Sequence, residues 1–96
     1  MNESLNLNIQ LVLAKNFIGA GGKIPAAQGY RIVKEALRGS GVRKSDVAKA
    51  RRKLGIRPEK LDGEYWWIWE NEQEPEAEWE RLSEEFWRQI NARKGD

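Results

Sequence analysis

The segment Arg43–Ile56, RKSDVAKARRKLGI, constrains this chain more tightly than any other part of it. Val47, Ala50 and Leu54 recur at helical spacing and predict an apolar stripe along one short helix. Ser45, Ala48, Lys49 and Arg52 fall on the opposite side, with Lys44, Arg51 and Lys53 flanking them. Gly55 follows, and glycine takes the left-handed conformation that closes a helix. Gly39-Ser40-Gly41 stands before the segment, at the end of another helical pattern. A helix, a tight turn and a second, strongly basic helix are the punctuation of a helix-turn-helix. Basic side chains on the face away from the core suit a helix lying in a major groove. A solvated, charge-rich surface helix accounts for the same residues equally well, so the rest of the chain has to decide.

Charge is distributed unevenly. The formal net charge of the 96 residues is only +2. Residues 1–60 hold thirteen Lys/Arg against four Asp/Glu, a net of +9. Residues 61–96 hold four against eleven, a net of −7. A basic body suits a polyanionic partner, and the acidic tail needs a separate account. The length bounds the chain to one small domain with a modest core. There is no cysteine and no histidine, which excludes disulfide frameworks, Cys/His zinc sites, cysteine nucleophiles and histidine-based triads. The longest apolar run, Leu11–Ala14, is far too short to cross a bilayer, and the N-terminus lacks signal-peptide regions. The expectation is a cytoplasmic protein with no membrane partner.

Taken in order, Leu5–Ile18 places Leu5, Ile9, Val12, Leu13, Phe17 and Ile18 at amphipathic helical spacing. Its start, LNLNIQL, also alternates with period two, so helix is expected from about Ile9 and strand remains open before it. Gly19-Ala20-Gly21-Gly22-Lys23 ends that helix. A phosphate-binding loop needs G-x-x-x-x-G-K-S/T; here Phe17 replaces the first glycine and Ile24 the final hydroxyl residue, so a turn is the better account. Ile24-Pro25 is expected to open the next helix. Ala27, Tyr30, Val33, Ala36 and Leu37 follow at helical spacing, with Arg31, Lys34 and Arg38 outside. Gly29 weakens that helix locally.

After Gly55 the pattern changes. Asp62-Gly63 is a strong two-residue hairpin signal. Tyr65–Glu70, YWWIWE, has the aromatic and β-branched residues strands prefer. On a strand, Tyr65, Trp67 and Trp69 share one face, Trp66 and Ile68 the other. Trp67 and Trp69 are expected in the core and Trp66 is expected to be the exposed one. Pro58 fits an edge strand. Asn71–Pro75 reads as an acidic linker. Glu76–Arg93 returns to helical period, with Trp79, Leu82, Phe86 and Ile90 on one stripe and Trp87 widening it. Glu84 and Arg88 are spaced for an attractive i, i+4 pair. The expected organisation is a winged helix-turn-helix over residues 5–70, a linker over 71–75 and an amphipathic helix over 76–93. The fold class is mainly α with a small β-hairpin.

The run from Ala14 through Ile56, followed by Trp67-Ile68-Trp69, resembles the winged-helix module of bacterial and phage mobile-element proteins. In those proteins it often trails a primase, a helicase or an AAA-type ATPase. The resemblance spans about Ala14–Trp69, and its most telling pieces are Gly41-Val42, Ala50–Ile56 and the two tryptophans. It implies DNA binding through the basic helix and the wing, in a mobile-element, replication or transcription-regulation context. Two features depart from the module: no ATPase or primase segment precedes it in this sequence, and an acidic helix follows it.

For duplex DNA, Lys49 and Arg52 are the candidate base-reading residues, since an arginine in the groove pairs bidentately with guanine. Ser45 is a candidate to cap the helix or bond a phosphate. Lys44, Arg51, Arg57 and Lys60 are candidate contacts to the sugar–phosphate backbone, which gives affinity and salt dependence. No cofactor or metal is expected. The acidic residues Glu74, Glu76 and Glu78 are explained by the favourable field at a helix start, and no enzyme activity is expected. The alternative is an adaptor or homodimer assembled through Trp79, Leu82, Phe86 and Ile90.

Overall fold

The computed structural model describes residues 3–94. The elements run α1 (Glu3–Phe17), β1 (Lys23–Pro25), α2 (Ala26–Ala36), α3 (Lys44–Lys53), β2 (Ile56–Leu61), β3 (Glu64–Trp69) and α4 (Pro75–Lys94). The three strands form one antiparallel sheet in the order β1-β3-β2. The chain is therefore mainly helical with a small sheet, as expected.

The first helix begins earlier than its sequence suggested. The alternating segment LNLNIQL is helical throughout. Its polar residues survive there because Gln10, almost fully buried, donates its side-chain amide to Oδ1 of the Asn6 side chain one turn back. Leu7, Ile9, Leu13, Ala14 and Phe17 are buried, while Ile18, expected on the same stripe, lies beyond the helix end and is 41% exposed.

The strand β1 is a departure. Ile24 and Pro25 do not open α2; they pair with Trp67 and Trp66 of β3. Pro25, with φ −63° and ψ 137°, is extended and caps α2, which starts at Ala26. An edge position tolerates a proline that cannot donate to the ladder. The loop before it is fastened to the sheet by the Trp69 N–H, which donates to the Gly22 carbonyl at 2.8 Å.

In α2, Gly29 is a packing requirement. A β-carbon there would lie 2.3 Å from Cζ3 of Trp67. The glycine that weakens the helix is what lets the indole lie against its backbone. Trp67 is 2% exposed and meets Tyr30 edge-on at 4.9 Å between ring centres.

Helix α3 buries Val47 and Ala50, and Leu54 behind them, as the spacing predicts. Its cap differs from expectation. Arg43 occupies the cap position, and Asp46, not Ser45, reaches back to accept its backbone N–H at 2.9 Å. Gly55, at φ 76°, then turns the chain straight into β2.

The hairpin turns at Asp62 (φ 51°) and Gly63 (φ 82°), the two positive values a type I′ turn demands. Because the Trp69 N–H points toward β1, its partner Ile56 points its own backbone groups to the free edge of β2. Pro58, two residues on, shares that orientation and leaves no N–H exposed there. Trp66 is half-buried beneath the Lys23 ammonium, 5.2 Å from its ring centre, so it is not the exposed aromatic. Tyr65, nearer the turn and beyond the reach of the core, is 61% exposed instead.

The segment before α4 is no free tether. Trp69 donates its indole N–H to the Gln73 carbonyl, and Asn71 donates its amide to the Leu54 carbonyl. Helix α4 then packs on α1, with Leu82 2% exposed and Trp79 and Phe86 against the same core. Three of the four residues considered for a partner are thus occupied within the chain, and Ile90 is half-buried. Trp87 does not widen that stripe: it is 59% exposed on the outer side. The ion pairs of α4 centre on Arg81, which meets Glu78 at 2.7 Å and Glu85 at 3.7 Å, rather than on Glu84 and Arg88.

Candidate nucleic-acid interface

The frame just described fixes α3 from three sides. Val47, Ala50 and Leu54 point into the core, α1 and α2 lie behind, and β2 starts immediately after Gly55. What remains outward is the face with Ser45, Ala48, Lys49 and Arg52. Ser45, Lys49 and Arg52 are exposed and Ala48 half-buried, with Lys44 and Lys53 exposed beside them. Among the described residues, none of Lys44, Lys49, Arg52 and Lys53 forms an ion pair. Their charges stand unneutralised on a helix whose other face is locked.

Arg51 is placed differently from its expected backbone contact. It is half-buried, donates Nη1–H to the Ile56 carbonyl at 2.8 Å, and stacks 5.9 Å from the centre of the Trp67 ring. Burial holds its guanidinium below the ordinary arginine value, Tyr30 raises it in part, and Arg52 lowers it further. Among the described residues its Nε is buried without a hydrogen-bond partner. Arg51 ties the end of α3 to the free edge of β2.

Arg57 is exposed but engaged. Its Nε–H and Nη2–H donate to Glu70 and Glu59, each at 2.6 Å. Those two hydrogen bonds, Glu70 first, raise its pKa above the ordinary value. Lys60 is exposed, its ammonium 5.7 Å from the centre of the Tyr65 ring. The hairpin is therefore less cationic than its two basic residues suggest, because Glu59, Asp62 and Glu64 lie on the same element.

The outer side of α2 contributes residues not counted as site candidates from the sequence. Ala27, Arg31 and Lys34 are exposed on α2, and Arg38, exposed as well, lies in the turn beyond the helix end. Ala27 and Tyr30 of α2 border one opening together with Arg51 of α3 and Tyr65 of β3. The signal was legible as i, i+3, i+7 periodicity. Spacing alone does not separate such a stripe from an ordinary solvated helix face.

No cluster of three or more metal-ligating side chains occurs among the described residues. Among the described residues no helix is long and apolar enough to cross a membrane. Lys23, the lysine of the glycine-rich loop, lies over Trp66 in a strand. Comparison of the chain with protein-family models, with curated proteins and with solved structures gave no match in any of the three.

Proposed function

We propose that this protein binds double-stranded DNA with α3 in the major groove and the β2–β3 hairpin alongside it. The observation that carries the reading is the outward face of α3, where Lys44, Lys49, Arg52 and Lys53 are exposed and, among the described residues, without an ion pair, on a helix otherwise locked into the core. The element order, three helices and a hairpin with the basic helix third, is that of a winged helix, in which the third helix enters the groove. Lys49 and Arg52 are assigned to base edges. Ser45, Lys44, Arg31 and Lys34 of α2, and Arg38 just beyond that helix are assigned to phosphates, with Arg57 and Lys60 at the hairpin. Arg51, bonded to the Ile56 carbonyl, is assigned to holding α3 against β2 rather than to DNA. The setting is a mobile-element, replication or transcription-regulation process, and no catalysis is assigned.

The test is binding of a fluorescent duplex by anisotropy at 50 and 200 mM salt. Each phosphate neutralised should contribute a slope of about −0.9 to log K against log salt, so several contacts predict a steep loss. Absence of binding at the lower salt would refute the assignment.

A second reading rests on Trp87. A tryptophan 59% exposed on the outer side of α4 is the kind of anchor partner surfaces use. In that reading α4 joins a partner, with Ile90 and Trp87 in place of Trp79, Leu82 and Phe86, which pack against the core. Light scattering on the full chain and on Trp87→Ala separates the two: an assembly lost in the variant favours the adaptor.

A further inference from the structure

A shallow hollow lies between the end of α3 and the free edge of β2, bordered by Arg51, Arg52, Arg57, Pro58 and Glu70. Its geometry is fixed. Arg51 bridges α3 to the Ile56 carbonyl, and the Glu70 N–H donates to the Gly55 carbonyl at 2.9 Å. The backbone of Glu70 is thus pinned opposite Gly55, and its carboxylate lies on Arg57 from there. Glu59, two residues along the same strand face, holds the other side of that guanidinium.

We infer that this hollow is a binding site for one backbone phosphate, gripped by Arg57, and that Glu70 stands in for that phosphate in the free protein. The inference rests on the DNA reading above and names a phosphate site and its internal competitor. A carboxylate bonded to an arginine Nε presents its oxygens as a phosphate does. Three arginines border the hollow and Glu70 is the one carboxylate among its lining residues, so exchanging that carboxylate for phosphate leaves a cation-rich grip. Both partners are about half exposed, so the internal pair is weak enough to be displaced. Glu70 and Glu59 then act as a filter. A loosely held duplex has to displace them from Arg57, while one seated by α3 delivers its phosphate to the hollow at high local concentration.

The experiment uses the full chain and a duplex of random sequence at 50 mM salt. Glu70→Gln should tighten binding about two- to fivefold, the range an exposed ion pair commands. Glu80→Gln, the same charge change at an exposed position outside the hollow, should do clearly less. Arg57→Gln should weaken binding, and in that background Glu70→Gln should lose its effect, because the competition has no object. Equal effects of the two Glu→Gln changes, or a Glu70→Gln gain that persists without Arg57, would overturn the inference. A readout independent of DNA is the Arg57 Nε–H signal in NMR during titration with inorganic phosphate. It should respond at lower phosphate in Glu70→Gln than in the parent. An indifferent signal in both refutes the phosphate site. A response together with no duplex binding by any variant would uphold the site and refute the DNA reading.

Discussion

At the scale of single residues, the same side-chain type takes opposite roles according to what lies across from it. Arg51 and Arg52 are neighbours in one basic run, and spacing alone sets both near the outer face of α3. Trp67, on a strand much later in the chain, decides between them: its ring covers the Arg51 side and leaves Arg52 free. Arg51→Ala should therefore cost about 1–3 kcal/mol of stability, as for a hydrogen bond from a charged group whose acceptor loses its partner. Once corrected for folding it should change DNA affinity little. Urea unfolding and anisotropy on the same sample check both halves. Gly29 is the second such residue. Sequence alone marks it as a helix weakness of about 1 kcal/mol, so Gly29→Ala looks stabilising. The Trp67 ring at 2.3 Å from the missing β-carbon reverses the sign. The variant should lose about 1–3 kcal/mol through overpacking, read as a lower urea midpoint at unchanged slope.

At the scale of elements, legibility followed length and periodicity. Helices α2, α3 and α4 and the hairpin were readable because each carries its period over several repeats or has a diagnostic turn such as Asp62-Gly63. Strand β1 was not, since three residues ending in proline show no alternation. It exists because β3 has an edge to fill, which is a tertiary reason. The start of α1 was ambiguous because its Leu/Asn alternation fits two periods, and the Asn6–Gln10 bond that resolves it is invisible in one dimension. In α4 the stripe Trp79, Leu82, Phe86 was right and Trp87 wrong, since Trp87 lies one residue past the contact edge with α1. Trp67→Ala, which empties the joint between α2, α3 and the sheet, should cost about 3–5 kcal/mol. Trp69→Ala should cost less, because that ring, 5.2 Å from Phe17, is only half-buried. A larger loss at Trp69 would mean that the hairpin root, rather than the α2 contact, anchors the sheet.

At the scale of the whole molecule, the acidic helix and the basic body are one packed unit. Leu82 shares its cluster with Ile9, Leu13 and Val47, so removing α4 would expose core rather than merely discharge a tail. The electrostatic role of α4 is better tested by replacing Glu76, Glu80 and Glu84 with Gln, since all three are exposed and form no ion pair among the described residues. Non-specific DNA affinity should rise at low salt. The difference should shrink as the Debye length falls to about 8 Å near physiological ionic strength. An increase that salt leaves untouched would point to a direct contact instead.

The central claim is that the outward face of α3 carries the DNA contact, and the double substitution Lys49→Ala, Arg52→Ala tests it most directly. Both side chains are exposed and without ion pairs, so the circular dichroism spectrum and urea midpoint should match the parent. Duplex affinity at 50 mM salt should fall by about tenfold or more. The slope of log K against log salt should flatten by about 0.9 for each of the two that meets a phosphate rather than a base. A folded double variant that binds duplex as tightly as the parent, with the same salt slope, would contradict the account.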